Sequence, residues 1–306
     1  MPVESLLMAA ERLSRDGSLV VTYADSSFLG KVLNWLIAVD RAGVHNALVV
    51  ALDESLHNFI HQRGFASVLV PTGTTLNEIR LTRLRVCQVL LRSGISVIQS
   101  DADAVWLRDP RPEFFANDSA AMVASQGVYW PPKAHAKWGF VLCTGLFSVR
   151  SEAATNVLLE RWIDDFHETG SDQESLNRLL LSDGVTWEMN SVTSETRLFR
   201  NRSFQTFDAP VSGICTSASL SLCLLPHMLF QRVPVEAPSP YVAHYLPDLA
   251  DLPDTQALTD TGSWFLADGW KNIDFDAGSL DRITISRAAE RADWTDPQIR
   301  FPLRRT

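Results

Sequence analysis

The sequence predicts an α/β fold with a Rossmann-like N-terminal half, a mixed central sheet and a loop-rich C-terminal part. Strand and helix patterns alternate over the first hundred residues, which is typical of βαβ units around a parallel sheet. After Gly184 this periodicity is lost, and prolines and short strands dominate. The composition, 46% apolar and 21% charged over 306 residues, is that of an ordinary globular protein. Because no repeat or linker is evident, we expect a single domain.

Short apolar runs and helix-capping residues define the predicted elements. Strands of the first half are expected at residues 19–23, 47–52, 66–70 and 95–100. Helices are expected at residues 1–16, 28–41, 54–63 and 75–92. The last of these begins at Thr75, where Glu78 completes a capping box. The second half is expected to contain strands at 120–125 and 140–149, a helix capped by Ser151, and a helix capped by Ser171 with Glu174.

The net charge of −9 argues against general binding to nucleic acids or anionic membranes, which requires a positive surface. It leaves room for a local basic pocket. No run reaches the roughly 18 apolar residues of a membrane span, and the first residues lack the apolar core of a signal peptide. The sequence therefore predicts a cytoplasmic protein without a membrane span. The four cysteines form no CxxC pair and are expected to be buried free thiols.

Two aspartates follow the fourth predicted strand, and they are the strongest indication of chemistry. Ligands of open parallel sheets bind beyond the carboxyl ends of the strands, and alternate side chains of an extended chain point the same way. Asp101 and Asp103 can therefore converge on a divalent cation that bridges phosphate oxygens. An acidic pair after a strand is also common as a simple turn or cap. No GxGxxG follows the first strand, which disfavours a nicotinamide or flavin site.

Arg83 lies on the apolar face of the helix before this pair. A guanidinium on such a face needs an anionic partner or a route to solvent. Arg83 can form a structural salt bridge, or it can contact a phosphate or nucleobase near Asp101, and both interpretations remain open at this point.

The run from Thr82-Arg83 to Arg108-Asp109-Pro110, with its D-x-D-x-x-W-L-R-D-P pattern, resembles the nucleotide-diphospho-sugar transferases of glycosyltransferase family 77. More distantly, it is similar to the retaining enzymes of family 8. Further stretches resemble the same family in the same order: N-W-L at 34–36, the strand at 48–54, G-x-x-x-x-R at 145–150, D-Q-x-x-x-N at 172–177, and v-x-H with G-x-W at 242–264. The resemblance covers about residues 19–266.

The resemblance implies a GT-A fold and retaining transfer of a sugar from a nucleotide-sugar, with a UDP-sugar expected as the donor. It divides the single domain into a nucleotide-binding half at about 18–125, an acceptor-binding half at about 126–270, and a C-terminal tail at 271–306. It also implies a divalent metal, Mn²⁺ (or Mg²⁺). The acceptor stays open between a small metabolite, a glycan and a protein side chain.

Carried over position by position, the metal ligands would be Asp101, Asp103 and His244. An imidazole ligand suits manganese better than magnesium. If His244 is not a metal ligand, we expect it to be a histidine packed in a β segment. His227 is the rival candidate for the third ligand.

The resemblance also implies the donor and catalytic residues. The expected nucleotide-sugar-binding residues are Thr22, Tyr23, Ala24, Asp25, Arg80, Arg83, Asp101, Ala102 and Gly145. Asp172 and Gln173 would lie near the anomeric carbon, where they stabilise an oxocarbenium-like centre or act as a transient nucleophile. The alternatives are core packing for Tyr23 and helix capping for Asp172.

The segment 127–138 is rich in aromatic residues and is expected to be an exposed loop over the donor or acceptor. The expected acceptor-binding residues are Trp130, Trp138 and Trp264. A lysine that the resemblance predicts between His244 and Trp264 is missing, and Lys271 is a poor substitute.

Two other classes of protein remain open. A haloacid-dehalogenase-type phosphatase shares the D-x-D-x-V pattern, although its nucleophile would follow the first strand, and the chain's Asp164-Asp165 pair lies in a helix pattern. The second alternative is a sugar-nucleotide-binding protein that has lost turnover.

Overall fold

The computed structural model describes residues 2–215, 219–235, 240–246 and 255–285. Its α-helices are α1 (Val3–Leu13), α2 (Leu29–Arg41), α3 (Glu54–Gln62), α4 (Leu76–Arg92), α5 (Arg111–Phe115), α6 (Pro132–Trp138), α7 (Ala153–Thr169), α8 (Asp172–Ser182) and α9 (Gln256–Asp260). Short 3₁₀ helices span Ser26–Phe28, Met189–Ser191, Trp270–Asn272 and Leu280–Ile283. Of the predicted C-terminal tail, residues 286–306 lie outside the described residues.

The strands are β1 (Ser18–Ala24), β2 (Ala47–Ala51), β3 (Ser67–Leu69), β4 (Ser96–Ser100), β5 (Val105–Trp106), β6 (Met122–Gly127), β7 (Val141–Val149), β8 (Thr186–Trp187), β9 (Ser194–Phe199), β10 (Arg202–Phe207), β11 (Val211–Cys215), β12 (Leu220–Leu224), β13 (Phe230–Gln231) and β14 (Val242–Ala243). The four strands predicted for the first half are all present, each within two residues of its expected bounds.

In the described residues, the central sheet has nine strands in the order β3-β2-β1-β4-β7-β6-β12-β11-β8. The pairs among β3, β2, β1 and β4 are parallel, as βαβ units require. Strand β7 runs antiparallel to both β4 and β6, which makes the sheet mixed. The predicted α/β class, with a Rossmann-like first half and a mixed central sheet, is confirmed.

A second, three-stranded sheet has the order β13-β14-β5. Strand β14 pairs antiparallel with β5, with Ala243 opposite Val105. In antiparallel pairs, the residue after one strand lies across from the residue before its partner. This pairing therefore brings the segment after β14 next to the two aspartates that precede β5.

Helix α2 joins the sheet to the C-terminal segment through a buried amide. The Asn34 side chain donates to the Ser263 carbonyl at 3.1 Å and accepts from the Phe265 amide at 2.6 Å. The N-W-L stretch at 34–36 is thus bonded directly to the G-S-W-F stretch at 262–265. Because a buried amide costs free energy unless it is hydrogen-bonded, this pair fixes where the C-terminal segment crosses the fold.

Two details of the second half differ from the sequence prediction. Residues 132–138 form α6 and not a loop, because Pro132 at the first helical position has its backbone torsion already set for a helix. Helix α7 is capped by Glu152 with Thr155 in a capping box, whereas Ser151 donates its hydroxyl to the Leu91 carbonyl. The prediction of Ser151 as the cap was wrong.

The predictions for two helix caps and for the cysteines hold among the described residues. The Thr75 capping box is present, and Ser171 caps α8 by accepting from the Glu174 amide. All four cysteines are free and buried. None of the helices in this part of the chain is both long and apolar enough to cross a bilayer.

Candidate active site

Asp101 and Asp103 leave the carboxyl end of β4, at the centre of the sheet. The preceding residue, Ser100, is fully buried, and its hydroxyl accepts from the indoles of Trp35 at 3.0 Å and Trp106 at 3.1 Å. The Asp101 amide donates to the Gly145 carbonyl of β7 at 2.6 Å. These buried hydrogen bonds fix the backbone from which the two carboxylates project.

His244 completes a cluster with the two aspartates. Its Nε2 lies 3.2 Å from Asp103 Oδ1 and 3.7 Å from Asp101 Oδ2, and the three candidate ligand atoms all lie within 4.8 Å of one another. Arg232 Nη1 donates to the His244 carbonyl at 2.8 Å, which fixes the backbone at this point. The structure thus brings His244 to the aspartates through the β14–β5 pairing.

His227, the rival candidate, lies elsewhere in the core. Its Nε2 accepts from the backbone amides of Arg232 and Val233, both at 3.3 Å. Burial, together with the charges of Arg197 and Arg232, lowers the pKa of His227 to about 3. It is a neutral hydrogen-bond acceptor and belongs to no cluster of ligand atoms among the described residues.

Gly145 makes the close approach of these groups possible. A Cβ at this position would overlap His244 Cε1 and Asp101 Oδ2. The backbone conformation is ordinary, so the requirement for glycine comes from space alone.

Arg83 has the anionic partners that its place on an apolar face demanded. Its Nη2 lies 3.0 Å from Asp101 Oδ1 and 3.7 Å from Asp172 Oδ2, and it donates to the Thr144 carbonyl at 2.8 Å. Burial alone would lower the pKa of Arg83, but Asp101 and Asp172 raise it above its ordinary value. Arg80 Nε lies 3.7 Å from Asp172 Oδ1. The salt bridge considered for Arg83 from the sequence is therefore present, and it lies inside the candidate site.

The charges of the cluster are unequal. Burial raises the pKa of Asp101 above its usual range, although Arg83 and His244 oppose this. Burial also raises the pKa of Asp103, but His244 outweighs it, so the net pKa is depressed. For His244, burial and Arg232 lower the pKa, while the Asp103 carboxylate raises it to a net value of about 9. Without a bound cation, these shifts favour a protonated His244 beside an ionised Asp103.

Asp172 and Gln173 open α8 beside this cluster. Asp172 is 5% exposed, and its Oδ1 accepts from the Gln173 amide at 2.9 Å. Gln173 Nε2 donates to the Trp130 carbonyl at 2.6 Å. Asn177 bonds to both the amide and the carbonyl of Leu142, each at 2.9 Å, which ties α8 to β7. Asp172 thus reaches Asp101 through Arg83, and Gln173 follows Asp172 in the chain.

The predicted nucleotide-contacting residues at the end of β1 are mostly internal. Tyr23 is 8% exposed, and its hydroxyl lies 3.6 Å from Cys87 Sγ, which is the core-packing position considered for it. Thr22 and Ala24 are buried, as is Ala102 beyond β4. Asp25 caps the following 3₁₀ helix by accepting from the Ser27 amide at 2.9 Å.

The three predicted acceptor-binding tryptophans have different surroundings. Trp130 is 49% exposed and borders Gln173. Trp138 is buried, with its ring 6.0 Å from Phe140 and 5.8 Å from Trp187, so the expectation that it is exposed was wrong. Trp264 is half-buried and lies over α2 beside Gly30.

Sequence reasoning missed three residues at the cluster. Arg232 and Lys31 both lower the pKa of Asp103 through their charge. Burial raises the pKa of Cys143, but Arg232 and His244 lower it to about 7, so this thiol borders the site as well. Only the absence of the expected lysine near His244 hinted that a cation would come from elsewhere.

The structure offers no support for a phosphatase of the haloacid-dehalogenase type. Its second carboxylate pair would be Asp164-Asp165, which lies on α7, and Asp165 Oδ1 pairs with Arg178 Nη2 at 2.6 Å. Asp101 follows the fourth strand in the chain and not the first.

A cluster of two carboxylates and one imidazole beyond the carboxyl end of β4, flanked by arginines, is the kind of site that can hold a divalent cation beside a phosphate-bearing ligand. The family model for nucleotide-diphospho-sugar transferases matches residues 42–244, and the chain belongs to this family.

Similar curated proteins include a beta-arabinofuranosyltransferase of Arabidopsis thaliana (RAY1), 26% identical over 64% of this chain and 39% of the relative. A UDP-D-xylose:L-fucose alpha-1,3-D-xylosyltransferase of the same plant (MGP4) is 22% identical over 64% of this chain and 59% of the relative. The chain therefore spans only about half the length of the relatives that it matches.

Two solved structures illustrate the range of similarity. The galactosyltransferase LgtC, with donor and acceptor sugar analogues, aligns at 12% identity and a TM-score of 0.39, covering 53% of this chain and 69% of the other. Glucosyl-3-phosphoglycerate synthase from Mycobacterium tuberculosis, with Mn²⁺ and UDP-glucose, aligns at 14% identity and a TM-score of 0.32, covering 68% and 90%. Both TM-scores are below 0.5.

Proposed function

We propose that this protein is a metal-dependent glycosyltransferase that moves a sugar, with retention of configuration, from a UDP-sugar to an acceptor hydroxyl. The observation that carries the proposal is the cluster of Asp101, Asp103 and His244 ligand atoms within 4.8 Å of one another, at the sheet edge where such ligands bind. Family membership supports the donor class, since the matching model describes nucleotide-diphospho-sugar transferases.

The residues present fit a divalent ion. Ligand atoms that share one ion of this size lie about 3 Å apart, and the His244–Asp103 and His244–Asp101 separations are 3.2 and 3.7 Å. Two carboxylates with one imidazole suit Mn²⁺, which accepts a borderline-soft ligand more readily than Mg²⁺ does. When bound, the ion would neutralise negative charge on the departing nucleoside diphosphate.

Asp172 and Gln173 would have different roles beside the transferred sugar. The Asp172 carboxylate already faces Arg83 and Arg80, and these pairings weaken it as a nucleophile. We assign it to orienting the two arginines toward the donor. Gln173 Nε2 is held by the Trp130 carbonyl, so the amide oxygen on the other branch can face an electron-poor anomeric carbon. Same-face attack, with a phosphate oxygen as base, fits this pair better than a covalent intermediate on Asp172.

The test is a thermal-shift screen of nucleoside diphosphates with and without Mn²⁺. A ligand that binds only the native state raises the melting temperature, so we expect UDP to stabilise the protein only when Mn²⁺ is present. Asp103→Ala should abolish the shift. Asp118→Ala, which removes a fully exposed carboxylate, is the matched control and should retain it. If no nucleotide gives a shift with any divalent metal, the proposal is wrong.

Turnover separates an enzyme from an inactive binding protein. Hydrolysis of a UDP-sugar with Mn²⁺, or its transfer to an acceptor, would demonstrate catalysis and should be lost in Asp103→Ala. Release of p-nitrophenol from p-nitrophenyl phosphate would instead identify phosphatase chemistry.

A further inference from the structure

A basic surface adjoins the candidate active site on the side of Trp130. It is formed by two segments, 126–140 and 194–207. The first contains no aspartate or glutamate, and the second contains only Glu195, although the whole chain has a net charge of −9. The basic residues of the surface are Lys133, Lys137, Arg197, Arg200 and Arg202.

The two segments pack directly against each other. The Gln205 amide of β10 donates to the Gly139 carbonyl at the end of α6, at 2.9 Å. The Arg202 guanidinium lies 4.8 Å from the centre of the Tyr129 ring, which itself packs 6.4 Å from the ring of Phe199. The β9–β10 hairpin and α6 are therefore direct neighbours, and each carries exposed basic residues.

This basic surface is adjacent to Gln173 of the candidate catalytic pair. Tyr129, which supports Arg202, immediately precedes Trp130, and the Trp130 carbonyl is bonded to Gln173. The Trp130 side chain is half exposed at this junction. A saccharide that stacks on the flat face of Trp130 would thus have its reacting end beside Gln173 and its other residues over the basic surface.

The basic residues are positioned to bind several anionic groups. Arg200, Arg202, Lys133 and Lys137 are exposed. Lys133 and Lys137 lie four residues apart on the same face of α6, so their charges are close together. Arg197 is already paired with Glu195 at 2.9 Å. Charge spread over two elements suits a ligand with several separate anionic substituents, and arginine matches carboxylates and phosphates in two-pronged hydrogen bonds.

We propose that the acceptor is an anionic saccharide, bound through its carboxylate or phosphate groups by this basic surface. The proposal rests on the proposed function, because the bound saccharide is an acceptor only if the protein is a glycosyltransferase. The binding of the saccharide can nevertheless be measured without donor, metal or turnover.

The experiment is calorimetric titration of the full chain with three tetrasaccharides of matched length: one of uronic acids, one phosphorylated and one neutral. We expect an anionic tetrasaccharide to bind and the neutral one to bind at least about tenfold more weakly. Affinity for the anionic ligand should fall as salt is raised from 50 to 200 mM. Whichever of the two anionic ligands binds more tightly identifies the anionic group.

Charge reversal locates the binding. Arg202→Glu and Lys133→Glu should each weaken binding of the anionic ligand about fivefold. Arg12→Glu, the same change at an exposed position on α1, should leave it unchanged. Arg202→Gln serves as a milder second variant if a reversal impairs folding. Each variant is checked for a normal melting temperature.

The outcomes separate this proposal from the proposed function. Equal binding of neutral and anionic tetrasaccharides, or full affinity in the Arg202→Glu Lys133→Glu double variant, would overturn the anionic-acceptor proposal. Salt-sensitive anionic binding that the double variant loses would support it, even if the thermal-shift screen showed no nucleotide binding. The absence of nucleotide binding in the thermal-shift screen would count only against the proposed transferase function.

Discussion

Replacing Gly145 by alanine tests the packing of the candidate metal cluster. The added Cβ would overlap His244 Cε1 and Asp101 Oδ2, and it would lie 3.1 Å from Asp101 Cγ. The backbone cannot retreat easily, because the Gly145 carbonyl accepts from the Asp101 amide at 2.6 Å. Overpacking of this kind costs about 1–3 kcal/mol of stability. The displaced ligands should also lower Mn²⁺ affinity by about 10–100-fold, the range seen when residues that support metal ligands are altered.

The measurements are urea unfolding of the metal-free protein and calorimetric titration with Mn²⁺. Gly30→Ala is the matched control, since its Cβ would meet the Trp264 ring at 3.7 Å, an ordinary van der Waals distance. Inside α2, that change should alter stability by less than about 1 kcal/mol and leave Mn²⁺ affinity intact. If Gly145→Ala bound Mn²⁺ as tightly as the unaltered protein, the proposed ligand geometry would be refuted.

Three further predictions concern the residues that support the site. Asn34→Ala should lower the free energy of unfolding by about 2–4 kcal/mol, because it leaves two buried backbone groups without their partner; a loss below about 0.5 kcal/mol in urea unfolding would contradict this. Ser100→Ala should cost about 1–3 kcal/mol, because two buried indole N–H groups lose their acceptor. An unchanged near-ultraviolet circular dichroism spectrum would argue against that bond pattern. The raised pKa of His244, about 9 against 6.5, means that its contribution to the metal-free protein is complete below pH 6.5 and is lost as the pH rises through 9. Mn²⁺ must displace that proton, so its affinity should rise over the same interval, and an affinity that is flat with pH would exclude His244 as a ligand.

Local sequence patterns predicted the features that depend on neighbouring residues. The apolar run of β4 followed by Asp101 indicated a carboxylate pair at a sheet edge, and the structure has that pair there. The position of Arg83 on an apolar face predicted an anionic partner, and the structure supplies Asp101 and Asp172. Both inferences use only periodicity and the cost of burying a charge.

The features that sequence reasoning missed depend on contacts between distant segments. The bond from Arg232 to His244 follows from the pairing of two-residue strands, which are too short to show any periodicity. Helix α6 is seven residues long and begins at the second of two consecutive prolines, so its local signal resembled that of a loop. Trp138 became a core residue only because Phe140 and Trp187 surround it.

The Asn34 amide and the β14–β5 pairing also impose an order on biosynthesis. A nascent chain can assemble the parallel strands β1 to β4, and thus display Asp101 and Asp103, long before the ribosome reaches His244. The partners of Asn34 are translated later still, at Ser263 and Phe265. A chain arrested before residue 244 would carry the acidic pair without the imidazole of His244. A chain arrested before residue 263 would leave the side-chain amide of Asn34 without these two hydrogen-bond partners. The candidate site therefore forms only after His244 and the segment at 263–265 have been translated.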